Sequence, residues 1–278
     1  MVDEPLSKFI IIFIVVNTTW IYLISGYIAL AAIIYLAQEY FIFKPEKLHK
    51  DFEYKYNWPF EELFFDTAPG VRINGLHFFC ANPHGLVLYF HGNSRSIKGW
   101  AKYAYDFYRY QYDVVLVDYR GFGKSTGKRS EADMLSDMQY VYASLAKKFG
   151  EQHLIVYGRS LGSGFATKLA SDNNPRYLIL DAPYLSFTKV IERFLPILPV
   201  KFLLRYHLRT DKWITRVKCH TYILHGTRDR LIPIRNSEKL KQLNPSRITL
   251  IRIVGGGHNN LPRFNEYHNF IRDILLME

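Results

Sequence analysis

The feature that most constrains this chain is an apolar stretch close to its N-terminus. No residue from Phe9 to Leu36 carries a charge. A helix needs about 20 predominantly apolar residues to cross the hydrocarbon core of a bilayer, and this stretch exceeds that length. Within the hydrocarbon each backbone N–H and C=O must be satisfied inside the segment, which for a single span requires an α-helix. We therefore predict a membrane anchor over residues 1–38.

A cleaved signal peptide is the alternative interpretation of this stretch, and Ala29-Leu30-Ala31 offers a small-residue cleavage pattern. Signal peptides begin with basic residues and have an apolar core of about 7–15 residues. Here Asp3 and Glu4 make the start acidic, and the apolar stretch is longer. Both differences favour an anchor that is retained.

The flanking lysines predict the orientation of the anchor. Lys8 precedes the span, whereas Lys44, Lys47 and Lys50 follow it. Loops on the cytoplasmic side of a membrane are enriched in Lys and Arg. The sequence thus predicts a single-pass membrane protein whose C-terminal part faces the cytoplasm.

Beyond residue 60, short apolar runs alternate with stretches of helical periodicity. Continuous apolar runs are typical of strands that are covered on both faces, and strand–helix alternation is typical of α/β domains. We predict one domain over residues 60–278, built on a mostly parallel, doubly wound sheet, with residues 39–59 as a tether. The two clearest helical stretches are Glu131–Phe149 and Leu261–Met277. The predicted strands are Glu62–Asp66, Val71–Cys80, Leu86–Phe90, Val114–Asp118, Leu154–Tyr157, Tyr177–Leu180, Thr221–Leu224 and Thr249–Val254.

The charge balance narrows the class of partner. The chain has 36 Lys and Arg against 25 Asp and Glu, a formal net charge of +11. Such an excess favours anionic surfaces, either lipid headgroups or nucleic acid. Because the basic residues are dispersed rather than clustered, we expect attraction to a membrane surface and no nucleic-acid partner. Two cysteines are too few for a disulfide framework.

The strongest chemical signal is the pentapeptide Gly158-Arg159-Ser160-Leu161-Gly162, which fits G-x-S-x-G. It follows a predicted strand and precedes a stretch of small residues, which is the strand–turn–helix context of a nucleophile elbow. The tight turn requires small flanking residues, which explains the two glycines. Ser160 is therefore the candidate nucleophile, at the carboxyl edge of the sheet.

A serine hydroxyl needs a base to take its proton and an acid to orient that base. Asp229 and His258 each follow a predicted strand, in the order Ser, Asp, His that this context requires. The carboxyl ends of parallel strands meet at one edge, so we expect the three side chains to converge. Asp181 also ends a strand and is the alternative acid. The backbone N–H groups of Asn93 and Leu161 are the candidate oxyanion donors.

These motifs together resemble the α/β-hydrolase superfamily, in particular its branch of serine-aminopeptidase-like, lysophospholipase-like and membrane-anchored α/β-hydrolase-domain proteins. The similarity covers roughly residues 60–277. It implies Ser160 as nucleophile, Asp229 as acid and His258 as base, and it leaves the substrate open. The runs that carry it, in order, are Tyr89 to Asn93, Asp118 to Ser125, Gly158 to Gly162, His225 to Pro233, and Gly257-His258.

Several other patterns have simpler interpretations. Neither Cys80 nor Cys219 lies in an elbow, so a cysteine nucleophile is not expected. Cys219 with His220 lacks the spacing of a zinc site. The sequence Gly123-Lys124-Ser125 resembles the end of a phosphate loop, but Asp118 stands where that motif requires glycine.

The segment between Pro183 and Lys212 supports two interpretations that the sequence leaves open. Its apolar part, Phe194 to Leu204, forms either ordinary core helices or a small lid that receives an acyl chain or rests on the bilayer. Tyr119 and Tyr184, in loops that follow strands, are the candidate substrate-binding residues.

The sequence thus predicts a membrane-anchored serine hydrolase that cleaves carboxylic esters or thioesters with an apolar acyl group, from a small-molecule or lipid substrate. The reaction requires neither a metal nor an organic cofactor. A serine peptidase with the same three residues is one alternative. A non-catalytic interaction protein on the same scaffold is another.

Overall fold

The computed structural model describes residues 4–276 and contains an eight-stranded sheet with helices on both faces. All eight predicted strands are present, with ends that differ by up to two residues. The strands of this sheet are β1 (Phe60–Ala68), β2 (Val71–Phe78), β3 (Gly85–Phe90), β4 (Tyr112–Val117), β5 (Leu154–Arg159), β6 (Tyr177–Asp181), β7 (His220–Gly226) and β8 (Ile248–Ile253).

The sheet order is β8-β7-β6-β5-β3-β4-β2-β1. Strands β3 to β8 run parallel, whereas β2 pairs antiparallel with both β1 and β4. The mostly parallel sheet predicted from the sequence is therefore confirmed. From β3 the chain continues to β4 on one side of β3 and then to β5 on its other side. The loops after β3 and β5 therefore diverge and leave a crevice at the carboxyl edge of the sheet.

The helices are α1 (Glu4–Ile42), α2 (Glu131–Phe149), α3 (Leu161–Asp172), α4 (Phe187–Phe194), α5 (Val200–Leu203), α6 (Arg235–Leu243) and α7 (Asn265–Leu276). Short helical turns lie at Ile97–Trp100, Ala101–Ala104, Tyr105–Tyr108, Glu151–His153, Thr210–Trp213, Ile214–Arg216 and Leu261–Arg263. The predicted helix over Glu131–Phe149 has these bounds. The predicted C-terminal helix is divided into a turn and α7, and Met277 lies outside the described residues.

The core consists of two layers, one on each face of the sheet. In β3, Leu86, Leu88 and Phe90 pack into one layer, while Val87 and Tyr89 pack into the other. Successive side chains of a strand point to opposite faces, so a strand covered on both sides is apolar at every position. This explains why the central strands read as continuous apolar runs.

Helix α1 is long, apolar and largely uncovered by the rest of the chain. Its segment Val16–Ile42 has a mean hydropathy of 2.0, and no residue of its most apolar part is buried. The helix is thus long and apolar enough to cross a membrane. It also continues to Ile42, beyond the predicted limit of the anchor at residue 38.

Residues 42–54, predicted as part of a tether, pack against the domain. The ring of Phe43 is 2% exposed and lies edge-on to Tyr206, with a centroid distance of 4.8 Å. Lys44–Pro45 pairs as a short parallel strand with Ser94–Arg95. Burial of Phe43 and these backbone hydrogen bonds fix the chain where it leaves α1, so α1 joins the domain through a packed segment rather than a free linker.

Candidate functional site

Ser160 lies on a sharp turn between β5 and α3. Its backbone has φ 49° and ψ −115°, a conformation that is unfavourable for residues other than glycine. A Cβ at position 158 would lie 2.5 Å from the carbonyl oxygen of Gly162, and one at position 162 would lie 2.2 Å from that of Phe90. The sequence argument that both flanking positions must be glycine is consistent with these distances.

The structure brings together the three side chains predicted to converge. The Oγ of Ser160 is 2.9 Å from Nε2 of His258, and Nδ1 of His258 is 2.7 Å from Oδ2 of Asp229. Asp229 follows β7 and His258 follows β8, so both lie at the carboxyl edge beside the turn after β5. Loops from three separate strands therefore form one continuous chain of hydrogen bonds.

Asp229 is held as a carboxylate. Although burial alone would raise its pKa, hydrogen bonds from His225 and His258 hold the pKa of Asp229 well below its usual range. Its Oδ1 also accepts the backbone N–H groups of Leu231 at 2.9 Å and Ile232 at 2.8 Å. A fixed negative charge beside Nδ1 orients the imidazole of His258 and stabilises it when protonated.

Asp181, the alternative acid, lies in a different network. Its Oδ2 accepts the hydroxyl of Tyr157 at 2.8 Å and is 3.5 Å from Nε of Arg159. The buried guanidinium of Arg159 stacks over Trp100, 5.2 Å from its ring centroid. Asp181 therefore neutralises a buried arginine beneath the site, whereas Asp229 contacts the histidine.

The two candidate oxyanion donors flank Ser160 in the cavity wall. Leu161 is the first residue of α3, so its N–H has no acceptor within the helix and lies at the positive end of the helix dipole. Asn93 lies in the loop after β3. Its carbonyl accepts the N–H of Lys44, and its side-chain amide donates to the carbonyl of Ile42. The end of α1 thereby fixes the loop that carries Asn93.

A cavity of about 590 Å³ opens in front of Ser160. Its walls come from three places: the end of α1, the loops around Ser160, and the segment of α4 and α5. Pockets of this size and apolar character are typical of small-molecule sites. The lining residues are Ile34, Gln38, Phe41, Ile42, Lys44, Asn93, Ser160, Leu161, Tyr184, Phe187, Val190, Ile191, Phe194, Leu195, Leu198, Val200, Leu203, Leu204, Leu231 and Ile232.

Of the two tyrosines predicted to bind substrate, Tyr184 lines this cavity and Tyr119 does not. The structure therefore does not bring Tyr119 to this cavity. Its side chain is fully buried, and its hydroxyl donates to the carbonyl of His91 at 2.7 Å. The ring packs against Phe165 of α3 with a centroid distance of 4.7 Å. Tyr119 thus packs behind the elbow helix and does not face the cavity.

The segment Phe194 to Leu204, for which two interpretations remained open, forms a wall of the cavity. Leu195, Leu198 and Leu203 line the cavity, whereas Ile197 and Phe202 are 75% and 81% exposed. Phe194 lines the cavity and is also 55% exposed. We call residues 194–204 the lid. A core helix would bury its large apolar side chains on one side without exposing others, so the lid interpretation fits the structure better.

The phosphate-loop resemblance has a structural explanation. The ammonium of Lys124 pairs with Glu62 at 2.9 Å, and the hydroxyl of Ser125 donates to the carbonyl of Asp118. Both groups therefore hold the loop after β4 in place. Across residues 4–276, no group of three or more His, Cys, Asp or Glu side chains could hold a metal ion.

Sequence reasoning missed the contribution of α1 to the cavity. Ile34, Gln38, Phe41 and Ile42 all line it. A uniformly apolar helix carries no periodicity that distinguishes a protein-facing side from a lipid-facing one. Gln38 was the available signal, because it is a polar residue at the end of an otherwise apolar stretch.

Comparisons with known proteins agree with this geometry. A family model described as serine aminopeptidase, S33, matches residues 81–210. The α/β hydrolase domain-containing protein aho-3 of Caenorhabditis elegans is 28% identical over 71% of this chain and 59% of its own length. The lysophosphatidylserine lipase ABHD12 of Danio rerio is 28% identical over 69% of this chain and 58% of its own length. The chain thus matches less than two thirds of either relative.

Solved structures share the fold. The esterase Pf2001 of Pyrococcus furiosus has a TM-score of 0.66, with 17% identity over 84% of this chain and 97% of its own. Acetyl xylan esterase 1 of Thermoanaerobacterium also has a TM-score of 0.66, with 18% identity over 82% of this chain and 86% of its own. These structures show that the chain has the fold of the α/β hydrolases, and the family model and the curated relatives show that its sequence is similar to proteins of that superfamily.

Proposed function

We propose that this protein is a membrane-anchored hydrolase that cleaves carboxylic esters or thioesters with an apolar acyl group, and that Ser160, His258 and Asp229 are its catalytic residues. The observation that carries the proposal is the hydrogen-bonded series from Ser160 through His258 to Asp229, which opens into an apolar cavity. The zebrafish relative, a lysophosphatidylserine lipase, supports a lipid ester as substrate.

The geometry accounts for each step of acyl transfer. His258 Nε2 takes the proton of Ser160 as Oγ attacks the acyl carbonyl, while Asp229 stabilises the imidazolium that forms. The oxyanion lies against the N–H groups of Asn93 and Leu161. His258 then gives its proton to the leaving group, which departs as an alcohol or thiol. Water repeats the sequence and releases the acid, so no cofactor enters the reaction.

The cavity walls favour an acyl group over a peptide. The family model describes aminopeptidases, which must recognise a substrate ammonium group. A carboxylate would be the matching partner, yet among the described residues that line the cavity the charged one is Lys44, a cation. Apolar lid residues such as Leu195, Leu198 and Leu203 suit a hydrocarbon chain instead.

We also propose that α1 anchors the protein in a single pass, with the domain over residues 60–278 in the cytoplasm. The exposed apolar surface of α1 supports the anchor, since Trp20, Ile21 and Leu36 are 59%, 61% and 77% exposed. Lys44, Lys47 and Lys50, which follow the helix, support the orientation. Protease treatment of sealed membrane vesicles tests it, because a cytoplasmic domain is digested only when that face is accessible.

The central experiment is labelling of the full-length protein in detergent with a fluorophosphonate probe, followed by assays on esters, thioesters and aminoacyl amides. We expect labelling and ester turnover in the natural chain and neither in Ser160→Ala. Ser171→Ala is a matched control, because Ser171 lies near the other end of α3 and donates to the carbonyl of Lys168. Faster cleavage of aminoacyl amides than of esters would favour the peptidase alternative. Absence of labelling would favour a non-catalytic role.

A further inference from the structure

One side of α1 is bound to the hydrolase domain. Tyr27, Ala31, Ile34, Gln38 and Ile42 follow one another at intervals of three or four residues, so they share one face of the helix. Ala31 and Ile34 pack against the apolar core. Between residues 16 and 36, the side chains outside this face are exposed, for example Ile33 at 60%. The anchor therefore has a protein-facing side and a lipid-facing side.

Hydrogen bonds join this side of α1 to the lid. The hydroxyl of Tyr27 donates to the carbonyl of Ile197 at 3.1 Å. The amide of Gln38 donates to the carbonyl of Leu203 at 3.1 Å, and its oxygen accepts the N–H of Arg205 at 2.8 Å. Gln38 is 4% exposed. A buried polar side chain that is satisfied by two backbone groups fixes the lid against the helix.

These contacts determine how deep the lid lies when α1 crosses a bilayer. Glu39 is the first charged residue after the apolar stretch, and it pairs with Arg129 at 3.3 Å and Arg205 at 3.0 Å. This charged cluster belongs at the headgroup level, since charges are costly in hydrocarbon. Tyr27 precedes Glu39 by twelve residues, about 18 Å along the helix axis. The hydrocarbon core is about 30 Å thick, so Tyr27 and Ile197 lie within it.

The exposed side chains of the lid fit such a location. Phe194, Ile197 and Phe202 are large, apolar and more than half exposed. In water such a patch would be unfavourable, whereas in a leaflet it is covered by lipid. Arg193 donates to the carbonyl of Leu231 at 3.3 Å, and Lys201 is long enough to extend its charged end towards the headgroups.

We infer that the acyl chain of a lipid in the bilayer passes directly from the leaflet into the cavity between α1 and the lid, so that the anchor helix is part of the substrate site. Ile34, Gln38 and Phe41 form the wall on the side of α1, and Leu198 and Leu203 form the wall on the side of the lid. The inference rests on the proposed ester hydrolysis at Ser160. It adds the route of the substrate and assigns a specificity role to the end of the anchor.

The first test fills the cavity from the side of α1. The full chain is reconstituted in phosphatidylcholine vesicles and assayed with p-nitrophenyl laurate and p-nitrophenyl butyrate. Each methylene that loses its place in an apolar site costs about fourfold in kcat/KM. We expect Ile34→Trp to exclude at least two methylenes and so to lower the laurate-to-butyrate ratio by about 15-fold. Ile33→Trp is the matched control, because Ile33 does not line the cavity, and it should leave the ratio unchanged.

The second test locates the lid without using activity. An environment-sensitive fluorophore is attached to Ile197→Cys or, as control, to Lys147→Cys at the end of α2, near the amino edge of the sheet. In vesicles the label at position 197 should show a blue-shifted emission and be quenched by a lipid-soluble quencher, whereas the label at position 147 should behave as in water. The natural thiols compete little, because burial raises the pKa of both Cys80 and Cys219.

The outcomes separate the inference from the proposed function. Two outcomes would overturn the inference while leaving ester hydrolysis intact. One is an equal laurate-to-butyrate ratio for Ile34→Trp and Ile33→Trp. The other is a label at position 197 whose emission and quenching match those of the label at position 147. Failure of the unmodified chain to hydrolyse either ester would overturn the proposed function instead, and the labels would still decide where the lid lies.

Discussion

Replacement of Asp229 by Asn tests the proposal that Asp229 is the catalytic acid, and the structure determines how the new amide is oriented. Oδ1 of Asp229 accepts N–H groups from Leu231 and Ile232, whereas Oδ2 faces Nδ1 of His258. Asparagine keeps its carbonyl oxygen where the two N–H groups donate, so its NH2 group takes the place of Oδ2. That group donates to Nδ1, and the neutral imidazole then carries its proton on Nε2. In this tautomer His258 cannot accept the proton of Ser160.

The expected magnitude follows from the loss of the base. A wrong imidazole tautomer in a serine triad lowers kcat by about 10⁴-fold. This corresponds to about 5 kcal/mol of lost transition-state stabilisation. The measurement is the initial rate of hydrolysis of a short soluble ester by the full chain in detergent. Circular dichroism of the same samples establishes that the variant is folded.

Asp181→Asn is the matched control, since it makes the same chemical change at the end of the neighbouring strand. It removes the charge that faces the buried guanidinium of Arg159, 3.5 Å away. Loss of one partner of a buried ion pair costs about 3–5 kcal/mol of folding stability. We expect Asp181→Asn to lower the melting temperature but to keep most of its turnover per folded molecule. The reverse result, with the large loss of turnover at Asp181 rather than Asp229, would refute the assignment.

Four further predictions follow from the same geometry. Ser160→Ala should abolish fluorophosphonate labelling while the far-ultraviolet circular dichroism is unchanged; residual turnover close to that of the natural chain would contradict the nucleophile assignment. Iodoacetamide at pH 8 should leave ester turnover intact, because burial raises the pKa of Cys80 to about 11 and of Cys219 to about 12, and rapid inactivation would indicate a reactive thiol. Deletion of residues 1–38 should preserve butyrate hydrolysis and reduce laurate hydrolysis, because Ile34 and Gln38 leave the cavity wall; equal losses would argue that the wall has no role in acyl binding. Folding lowers the pKa of Asp229, so its carboxylate stabilises the fold above the unfolded pKa of about 3.9. This contribution is lost as the pH falls through and below that value. The free energy of unfolding of Asp229→Asn, measured in urea, should therefore depend less steeply on pH in this acid range than that of the unsubstituted protein.

The sequence determined the elements of the fold because their signals are local. Strands covered on both faces must be apolar at each position, so β3 to β7 were recognisable as short continuous runs. The elbow was recognisable because the turn at Ser160 excludes side chains at positions 158 and 162. The order of Ser160, Asp229 and His258 after successive strands then predicted that they converge, because parallel strands end at one edge of the sheet.

The tertiary structure alone decided which of several similar residues face the site. Asp181 and Asp229 both end strands, and only the packing of Arg159 beside one and His258 beside the other distinguishes them. Tyr119 and Tyr184 both follow strands, yet one is turned behind the elbow helix and the other into the cavity. The position of a residue after a strand predicts at which edge of the sheet it lies. The direction of its side chain depends on neighbours that are distant in the chain.

Contacts with residues distant in the chain also decided which side of α1 faces the protein. Its composition determined that the segment can form a spanning helix, since length and apolarity suffice for that inference. Composition could not show that one side of the helix packs on the lid, because lipid-facing and protein-facing positions of an apolar helix carry the same residue types. The contacts of Gln38 with Leu203 and Arg205 exist only once residues about 165 positions apart are folded together. Tertiary structure thus decided that this helix also forms a wall of the cavity.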